Sequence, residues 1–337
     1  MKNNVYIRSN RSIFTISITR IALLLPLIIY GFYKNGIHLY TNEYIGITNL
    51  FRPLIIILGS ALIGGLINII YEKLIKKSKD NLKDILFSSF HIEYGMVIGC
   101  LMPININLII YFSVITIVLF ISKFLNNRVN TMCVCFILIF AISYLLGDEF
   151  IFKNPYELDK TFSLEFMDYI IGKGVGGIAS THILLLILAF TGMHLTNNNK
   201  SAITMSSVIT IIAAFIIYSL VSNISFIELL FSNNILFILT YVLTDSVTSC
   251  YTVNGKVAYG VIAALLIFGL SFINPIVGPF IAILIVSLFN NLIDRKINSI
   301  FKSNKCYEAF RKSAKETLKH AQRPKFVFDT NGIEIID

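Results

Sequence analysis

The sequence predicts an all-α membrane protein of about ten transmembrane helices, arranged as two inverted five-helix halves. Hydrophobic residues make up 55% of the 337-residue chain and charged residues only 14%, against about 25% charged in a soluble domain. The apolar residues form blocks of about 15 to 20, close to the length that a helix needs to cross a hydrocarbon layer. Alternating segments of about ten residues, which a membrane barrel requires, are absent.

Ten apolar blocks are the predicted transmembrane spans. In chain order they are Phe14–Tyr33, Leu54–Tyr71, Ile85–Met102, Leu108–Ser122, Met132–Leu146, Ile178–Leu195, Ala202–Val221, Ile227–Leu243, Val257–Ile273 and Ile276–Ile293. No small-residue cleavage site follows Leu23–Tyr30, so the first block is a span rather than a signal peptide. His91, Glu93 and Gly95 interrupt the third block, which favours a broken or re-entrant helix. An odd number of spans in each half makes the two halves inverted copies.

Loop charge predicts the orientation, with both termini in the cytoplasm. Few cations then lie outside, namely Lys34, Arg52, Lys153, Lys160 and Lys173. The net charge of +9 does not indicate nucleic-acid binding, because the basic residues lie in loops between apolar blocks.

The predicted units follow from the same charge pattern. They are a cytoplasmic N-terminal segment (1–13), a first half (14–146), an acidic extracytoplasmic loop (147–177), a second half (178–293) and a basic cytoplasmic tail (294–337). Within the tail, residues 303–322 predict an amphipathic helix that binds anionic lipid or a partner subunit.

Familiar catalytic and metal-binding motifs are missing from the sequence. The five cysteines form neither a CxxC pair nor a disulfide framework. There is no nucleophile elbow, Walker loop or HExxH. Polar residues at membrane depth are therefore the candidate sites.

The first candidate site is the glycine-rich stretch Gly172–His182, at the outer end of the sixth span. Its glycines, including Gly177, allow close backbone approach to a ligand. Free N–H groups at a helix start suit a phosphate. The plainer interpretation is a loop that enters a helix, with Ser180 or Thr181 as the cap.

The second candidate is Thr244–Cys250, at the inner end of the eighth span. A carboxylate with several hydroxyls, here Asp245, Thr248 and Ser249, can hold a cation, a flavin ribityl chain or a proton. The alternative is a helix end followed by a turn through Asn254-Gly255.

The third candidate is Glu93, with His91 and Tyr94, in the interrupted third span. Ionisable groups at membrane depth are costly and usually functional. If that span begins later, however, Glu93 lies near the cytoplasmic interface.

Two segments resemble a known family: the D subunit of the Rnf electron-transport complex and the B subunit of the sodium-pumping NADH:quinone oxidoreductase. The family's TDPVTSP segment is similar to Thr244–Ser249, which is followed here by Gly255-Lys256. The family's closing helices are similar to the final pair of spans, which ends at Asn290–Arg295. Tyr6–Ser9 resembles the family's N-terminal PHIRS motif.

The sequence also departs from the family pattern at several positions. Ser246 and Cys250 replace the two prolines of TDPVTSP. The stretch Ser122–Thr131 keeps Asn127 and Asn130 but loses the family's glycines and proline. The chain is therefore identified as a divergent member.

The resemblance implies a flavin site. Family members carry FMN esterified through its phosphate to a threonine in an SGAT-like motif, and Ile178–Thr181 places Thr181 at that acceptor position, with Ser180 as a substitute acceptor. Ala179 stands where the family has glycine. The resemblance further implies that Asp245, Thr248 and Ser249 help to hold a second, non-covalent flavin or its surroundings.

As a member of this family, the chain would be a bacterial inner-membrane subunit of an ion-translocating oxidoreductase complex, coupling electron transfer to sodium or proton movement. It would depend on other subunits for electrons, on a flavin transferase and on membrane lipid, and would be inactive alone. Two alternatives remain open: a flavin-free solute or ion transporter on the same scaffold, and a structural assembly subunit.

Overall fold

The computed structural model describes residues 13–79, 81–124, 129–156, 164–196, 200–222, 226–231, 234–302, 325–329 and 332–336. The N-terminal motif at 6–9, Asn127 and the amphipathic helix predicted for 303–322 lie outside the described residues.

The described residues of the predicted first half form eight helices. They are α1 (Ile13–Phe32), α2 (His38–Thr41), α3 (Ile47–Leu50), α4 (Arg52–Ile70), α5 (Leu82–Leu86), α6 (His91–Leu101), α7 (Leu108–Ser122) and α8 (Thr131–Leu145). A π-helical turn, Tyr33–Ile37, joins α1 to α2, and a second one, Tyr71–Ile75, extends α4. Such turns are rare and often mark functional positions.

The second half begins after a loop and is more broken. The predicted loop contains α9 (Phe166–Ile171), and the helices that follow it are α10 (Ile183–Leu195), α11 (Ser201–Ser222), α12 (Phe226–Phe231), α13 (Ile235–Phe237), α14 (Val253–Ser271), α15 (Gly278–Leu288) and α16 (Asn290–Lys302). A π-helical turn, Ile238–Val242, continues α13. An antiparallel hairpin, β1 (Lys325–Asp329) and β2 (Gly332–Ile336), pairs Lys325 with Ile336 and Asp329 with Gly332.

Long apolar helices confirm a multi-pass helical membrane protein. Among the described residues, four are long and apolar enough to cross a membrane: Ile13–Thr41, Arg52–Ile75, Ser201–Ser222 and Val253–Ser271. Four shorter apolar helices accompany them: Leu108–Ser122, Thr131–Leu145, Ile183–Leu195 and Gly278–Leu288. Side chains such as Leu62 and Ile29 are about two-thirds exposed, which is the surface that lipid covers.

Several predicted boundaries were wrong, and the errors share a cause. The predicted third span, Ile85–Met102, is helical as one piece only over His91–Leu101, as its interrupting polar residues suggested. The predicted eighth span, Ile227–Leu243, is divided into α12, α13 and a π-helical turn. Hydropathy reports which segments are apolar and does not report whether their backbone is helical. These pieces were therefore predicted as continuous spans.

Other spans differ at their ends. The sixth begins at Ile183 rather than Ile178, because residues 178–182 form an irregular segment held by side chains. The first continues beyond Tyr33 to Thr41. The tenth ends at Leu288, and α16 begins two residues later as a separate helix.

Helix pairing follows a repeated pattern in the two halves. In the first half α4 packs on α6 and α7, and α7 packs on α8. In the second, α11 packs on α14 and on the π-helical turn, and α14 packs on α15. Between the halves α1 contacts α10 and α8 contacts α15, where Phe136 and Phe280 stack with ring centroids 3.7 Å apart. This similarity agrees with two repeated halves, and the residue limits predicted for them stay predictions.

Candidate functional site

The loop before α10 is shaped by glycine and closed by a histidine. Gly172 ends α9 with φ of 89°, a left-handed conformation that favours glycine. The N-cap of α10 is His182, whose Nδ1 accepts from the Leu185 amide at 3.3 Å. The expected caps, Ser180 and Thr181, are therefore wrong as caps, and their hydroxyls are engaged elsewhere.

Thr181 lies beside a buried lysine. Its Oγ1 donates to the Gly172 carbonyl at 2.8 Å. Lys34, on the π-helical turn after α1, donates from Nζ to the same oxygen at 2.8 Å, to the Gly174 carbonyl at 2.6 Å and to Thr181 Oγ1 at 3.2 Å. The proposed acceptor hydroxyl is thus held next to an ammonium group.

Ser180 and Gly177 share one partner, Asn234. The Ser180 hydroxyl donates to Asn234 Oδ1 at 2.5 Å, and the Gly177 amide donates to the same oxygen at 2.7 Å. Asn234 has φ of 64° and precedes α13. The break in the eighth span therefore faces the glycine-rich loop, and Ser180 is engaged by a side chain that the sequence did not single out.

The loop backbone also joins the end of α6. The amides of Ile178 and Ala179 donate to the carbonyls of Met102 and Cys100, both at 3.0 Å. The Ala179 methyl group packs against Gly31 of α1, where an added Cβ would approach it to 2.8 Å. The change from the family's glycine to Ala179 is accommodated by a glycine on the neighbouring helix.

An apolar cleft begins next to this loop. A small cavity of about 10 Å³ touches Ser180 and Thr181 and shares five lining residues with a cleft of about 590 Å³ between α10, α11 and α12–α13. The shared residues are Ile183, Leu186, Leu230, Phe231 and Leu236. Ligand pockets commonly measure 300–1,000 Å³.

At the other end of α6 the structure brings Asp245 together with Tyr94. Tyr94 donates to Asp245 Oδ1 at 2.7 Å, and Thr248 donates to Oδ2 from its amide at 3.1 Å and its hydroxyl at 2.7 Å. Ser249 donates to the Asp245 carbonyl at 2.5 Å. The three predicted inner residues therefore form one hydrogen-bonded turn around a buried carboxylate.

A buried ion pair lies beside this turn. Arg20 of α1 is 0% exposed, and its Nε lies 2.5 Å from Glu93 Oε1. Its terminal nitrogens donate to the carbonyls of Tyr241 at 2.9 Å and Thr244 at 3.4 Å. Glu93 is therefore buried inside the protein, in the first turn of α6. Its Oε2 has no hydrogen-bond partner among the described residues.

His91, in contrast, has a structural role. Its Nε2 lies 2.8 Å from the Ser122 hydroxyl and 3.1 Å from the Leu119 carbonyl, and its Nδ1 lies 2.5 Å from the Ser89 hydroxyl. The Nε2 contacts link α6 to α7, and the Nδ1 contact ties the ring to the residues just before α6, so His91 holds these elements together.

Side chains of α16, the last helix in the described part of the chain, bind the segment that follows Asp245, which brings two motifs that are distant in sequence into contact. Asn290 donates to the Thr248 carbonyl at 2.7 Å, and Asp294, four residues later, accepts from the Tyr251 amide at 2.9 Å and the Thr252 hydroxyl at 2.7 Å. Thr252 caps α14. The turn expected at Asn254-Gly255 was wrong, because both residues lie in the first turn of α14.

Lys200 contacts the inner turn from the start of α11. Its Nζ donates to the Ser249 hydroxyl at 2.8 Å and to the carbonyls of Ser249 and Ser246 at 2.9 and 3.2 Å. Burial lowers the pKa of Lys200 from 10.5 to about 8, against the opposing effect of the Asp245 carboxylate.

The lowered pKa of Lys200 predicts a pH dependence of stability. Between about pH 8 and 10.5 the unfolded chain binds more protons at this lysine than the folded chain does, so the free energy of unfolding rises with pH in that window. We expect Lys200→Met to flatten this rise by on the order of 1 kcal/mol, measured by thermal unfolding in detergent. The exposed Lys153→Met is the control, and equal slopes in Lys200→Met and wild type would contradict the expectation.

The same three elements build both sites. The region of α1 and its π-helical turn supplies Arg20 and Lys34, which are separated by roughly 20 Å along the helix axis. α6 supplies Glu93 and Tyr94 to the inner cluster and carbonyls to the outer loop. The broken eighth span supplies Asn234 to the outer site and Asp245 to the inner one. A shift of any of these elements therefore affects both ends.

Sequence reasoning missed four of these residues as site members, and one of them, Lys200, was noted only as a loop cation. Arg20 gave a signal, as a cation inside a predicted span. Lys34 gave a weaker signal, as one of the few cations on the predicted extracytoplasmic side. Asn234 gave none, because its role depends on the backbone break that precedes α13.

The model of the family described as NQR2, RnfD, RnfE matches residues 1–301. No curated protein matches the chain.

Proposed function

The chain belongs to the NQR2, RnfD, RnfE family, and from this premise we propose that it carries flavin on Thr181 and couples electron transfer to the movement of sodium ions or protons. Membership makes it a membrane subunit of an ion-translocating complex. The flavin and its coupling to ion movement are the proposal.

The observation that carries the flavin proposal is the contact of the Thr181 hydroxyl with the Lys34 ammonium at 3.2 Å. A threonine that is to hold a phosphodiester needs a nearby cation, since charge-assisted hydrogen bonds to phosphate are strong. The apolar cleft that adjoins Thr181 has a volume suited to an aromatic ring system. The residues present therefore fit FMN: Thr181 and Lys34 at the phosphate, Ser180 and Gly177 beside it, and the cleft for the ring.

The division of labour follows from these positions. Bound FMN would supply one-electron chemistry. Thr181 would hold its phosphate, Lys34 would neutralise the phosphate charge, and the apolar cleft would exclude water from the ring.

The inner cluster supports the ion-coupling part of the proposal. Arg20 compensates Glu93, while Asp245 is a second buried carboxylate held by neutral donors, Tyr94 and Thr248. Buried carboxylates at membrane depth mark ion and proton pathways. Asp245, Thr248 and Ser249 are the residues that we propose for a cation, a proton or a second flavin.

Orientation and partners complete the proposal. We place the Thr181 site on the extracytoplasmic side of a bacterial inner membrane and both termini in the cytoplasm, on the charge of the loops. Other subunits supply the electron donor and acceptor, and a flavin transferase attaches the FMN. The isolated chain is expected to be inactive in electron transfer.

Thr181→Val tests the flavin proposal. We expect the wild-type chain, co-expressed with its flavin transferase, to show in-gel flavin fluorescence and an FMN-sized mass increment. The variant should lose both, because valine keeps the shape of threonine without the oxygen that forms the ester. Ser180→Ala is the matched control, and it should keep the increment.

A wild-type chain with no mass increment would refute the covalent flavin and favour a flavin-free transporter on this scaffold. One observation favours that second candidate: Thr181 is only 8% exposed, and its hydroxyl is already hydrogen-bonded. Loss of the label in Ser180→Ala with retention in Thr181→Val would instead assign the ester to Ser180.

A further inference from the structure

We propose that Lys34 is the positioning residue for flavin attachment, binding the phosphate while Thr181 attacks it and neutralising the phosphodiester afterwards. This inference rests on the proposed function, because it concerns the same site. It assigns the role to a residue 147 positions away from the acceptor in sequence.

The position of Lys34 is set by the backbone as well as by its side chain. Lys34 lies on the π-helical turn Tyr33–Ile37. The next residue, Asn35, donates to the Ile178 carbonyl at 2.9 Å and to the Gly31 carbonyl at 3.2 Å. The turn is therefore attached to the acceptor segment at Ile178 and, through Lys34, at Thr181.

The burial of Lys34 indicates more than a surface contact. The residue is 1% exposed, and burial of an ammonium group is costly unless its donors are satisfied. Its Nζ is held in place by hydrogen bonds to the carbonyls of Gly172 and Gly174 and to the Thr181 hydroxyl. An anion at Thr181 would therefore meet a cation that is already desolvated and in place, which strengthens their attraction.

The attachment reaction that these groups serve is a phosphoryl transfer from a flavin dinucleotide. Thr181 Oγ1 attacks the flavin-side phosphorus, an oxygen–phosphorus bond forms, and the phosphoanhydride bond breaks to release the nucleoside monophosphate. The hydroxyl proton leaves to water or to a base of the transferase. No electron is transferred. Lys34 stays protonated and stabilises the negative charge on the phosphoryl oxygens, as fixed donors do in a transition state.

The Gly172 carbonyl has a complementary role before attack. It accepts from both the Thr181 hydroxyl and the Lys34 ammonium at 2.8 Å. This shared acceptor keeps the Thr181 oxygen within hydrogen-bond reach of the ammonium. Once the ester has replaced the hydroxyl proton, the hydrogen bond from Thr181 is lost and the ammonium can turn to the phosphate.

The experiment compares three variants in timed flavin incorporation. Full-length Lys34→Met, Lys34→Arg and Lys173→Met are purified without flavin and incubated with the transferase and increasing flavin adenine dinucleotide, with intact mass as the readout. Lys173 is the matched control, because it is a lysine of the same loop and its ammonium pairs with Asp168 at 2.8 Å. Thermal unfolding of each variant is recorded in parallel.

We expect Lys34→Met to lower the maximal incorporation rate by about 100-fold, the size of effect seen when a transition-state donor is removed. Lys34→Arg should restore the rate to within about tenfold of wild type, because it retains the charge. Lys173→Met should match wild type. A purely structural lysine would instead lower the unfolding temperature while leaving the rate of the folded fraction unchanged.

The other possible results separate the role of Lys34 from the flavin proposal itself. Labelled wild type with equally fast Lys34→Met overturns the role of Lys34 and leaves the flavin proposal intact. Unlabelled wild type overturns both. If Lys34→Met fails to fold, Lys34→Gln, which keeps hydrogen-bond donors without charge, takes its place: slow incorporation supports the role of the charge, and wild-type incorporation refutes it.

Discussion

Replacement of Arg20 by methionine should abolish most of the folded protein. The substitution leaves the carboxylate of Glu93 buried without its counter-ion, and it removes the donors to the carbonyls of Tyr241 and Thr244. Breaking a buried ion pair by removing one partner costs about 3–5 kcal/mol. That is a large part of the stability of an ordinary protein. The measurement is the yield of monodisperse protein in detergent and its unfolding temperature.

The double variant Arg20→Met/Glu93→Gln is the control for this result. Neutralising Glu93 removes the stranded charge, so the double variant should recover at least half of the lost stability. Equal yields of wild type and Arg20→Met would show that the ion pair is not what holds α1 to α6. A double variant no better than Arg20→Met would assign the loss to the carbonyl contacts instead.

Gly95→Val should separate α4 from α6. A Cβ at Gly95 would overlap the carbonyl oxygen of Ser60, and a Cβ at Gly64 would overlap the carbonyl of His91. The Ser60 hydroxyl donates to the Gly95 carbonyl at 2.7 Å across the same contact. Small residues permit such close helix packing in membranes. We expect a loss of about 3 kcal/mol, at the upper end of overpacking costs.

Gly269→Val provides the matched control, because Gly269 also lies in a long apolar helix, α14, and an added Cβ there meets no atom within 4 Å. Its unfolding temperature should stay close to that of wild type, while that of Gly95→Val falls. Similar falls in both variants would mean that glycine acts through helix flexibility rather than through the α4–α6 contact. Because α6 carries Glu93 and Tyr94, Gly95→Val should also disturb the inner cluster.

The helical membrane fold was predictable, because hydropathy alone fixes which segments enter lipid, and lipid permits little besides helices. The interruption of the third span was also visible, since Glu93 and Gly95 break its apolar run. The division of the eighth span was not. The predicted span Ile227–Leu243 is one apolar block in the sequence. The break at Asn234 is stabilised by contacts with Gly177 and Ser180, far away in sequence.

The candidate site residues likewise include some that the sequence revealed and some that only the structure revealed. Asp245, Thr248 and Ser249 were found as a local motif, and they bond to one another locally. Their partners Tyr94, Lys200 and Asn290 come from three other parts of the chain. Asn130, kept from the family pattern, donates to the Val242 carbonyl at 3.1 Å, a role that only the packing of α8 on the broken span reveals.

The sequence by itself determined that the chain is a helical membrane protein with a polar motif after its eighth apolar block and a glycine-rich loop before α10. Both are local properties of composition and order. The tertiary structure alone decided that Lys34 meets Thr181 and that Arg20 meets Glu93. Those pairings depend on how helices pack, and in the low-dielectric interior each buried charge must lie beside groups that stabilise it.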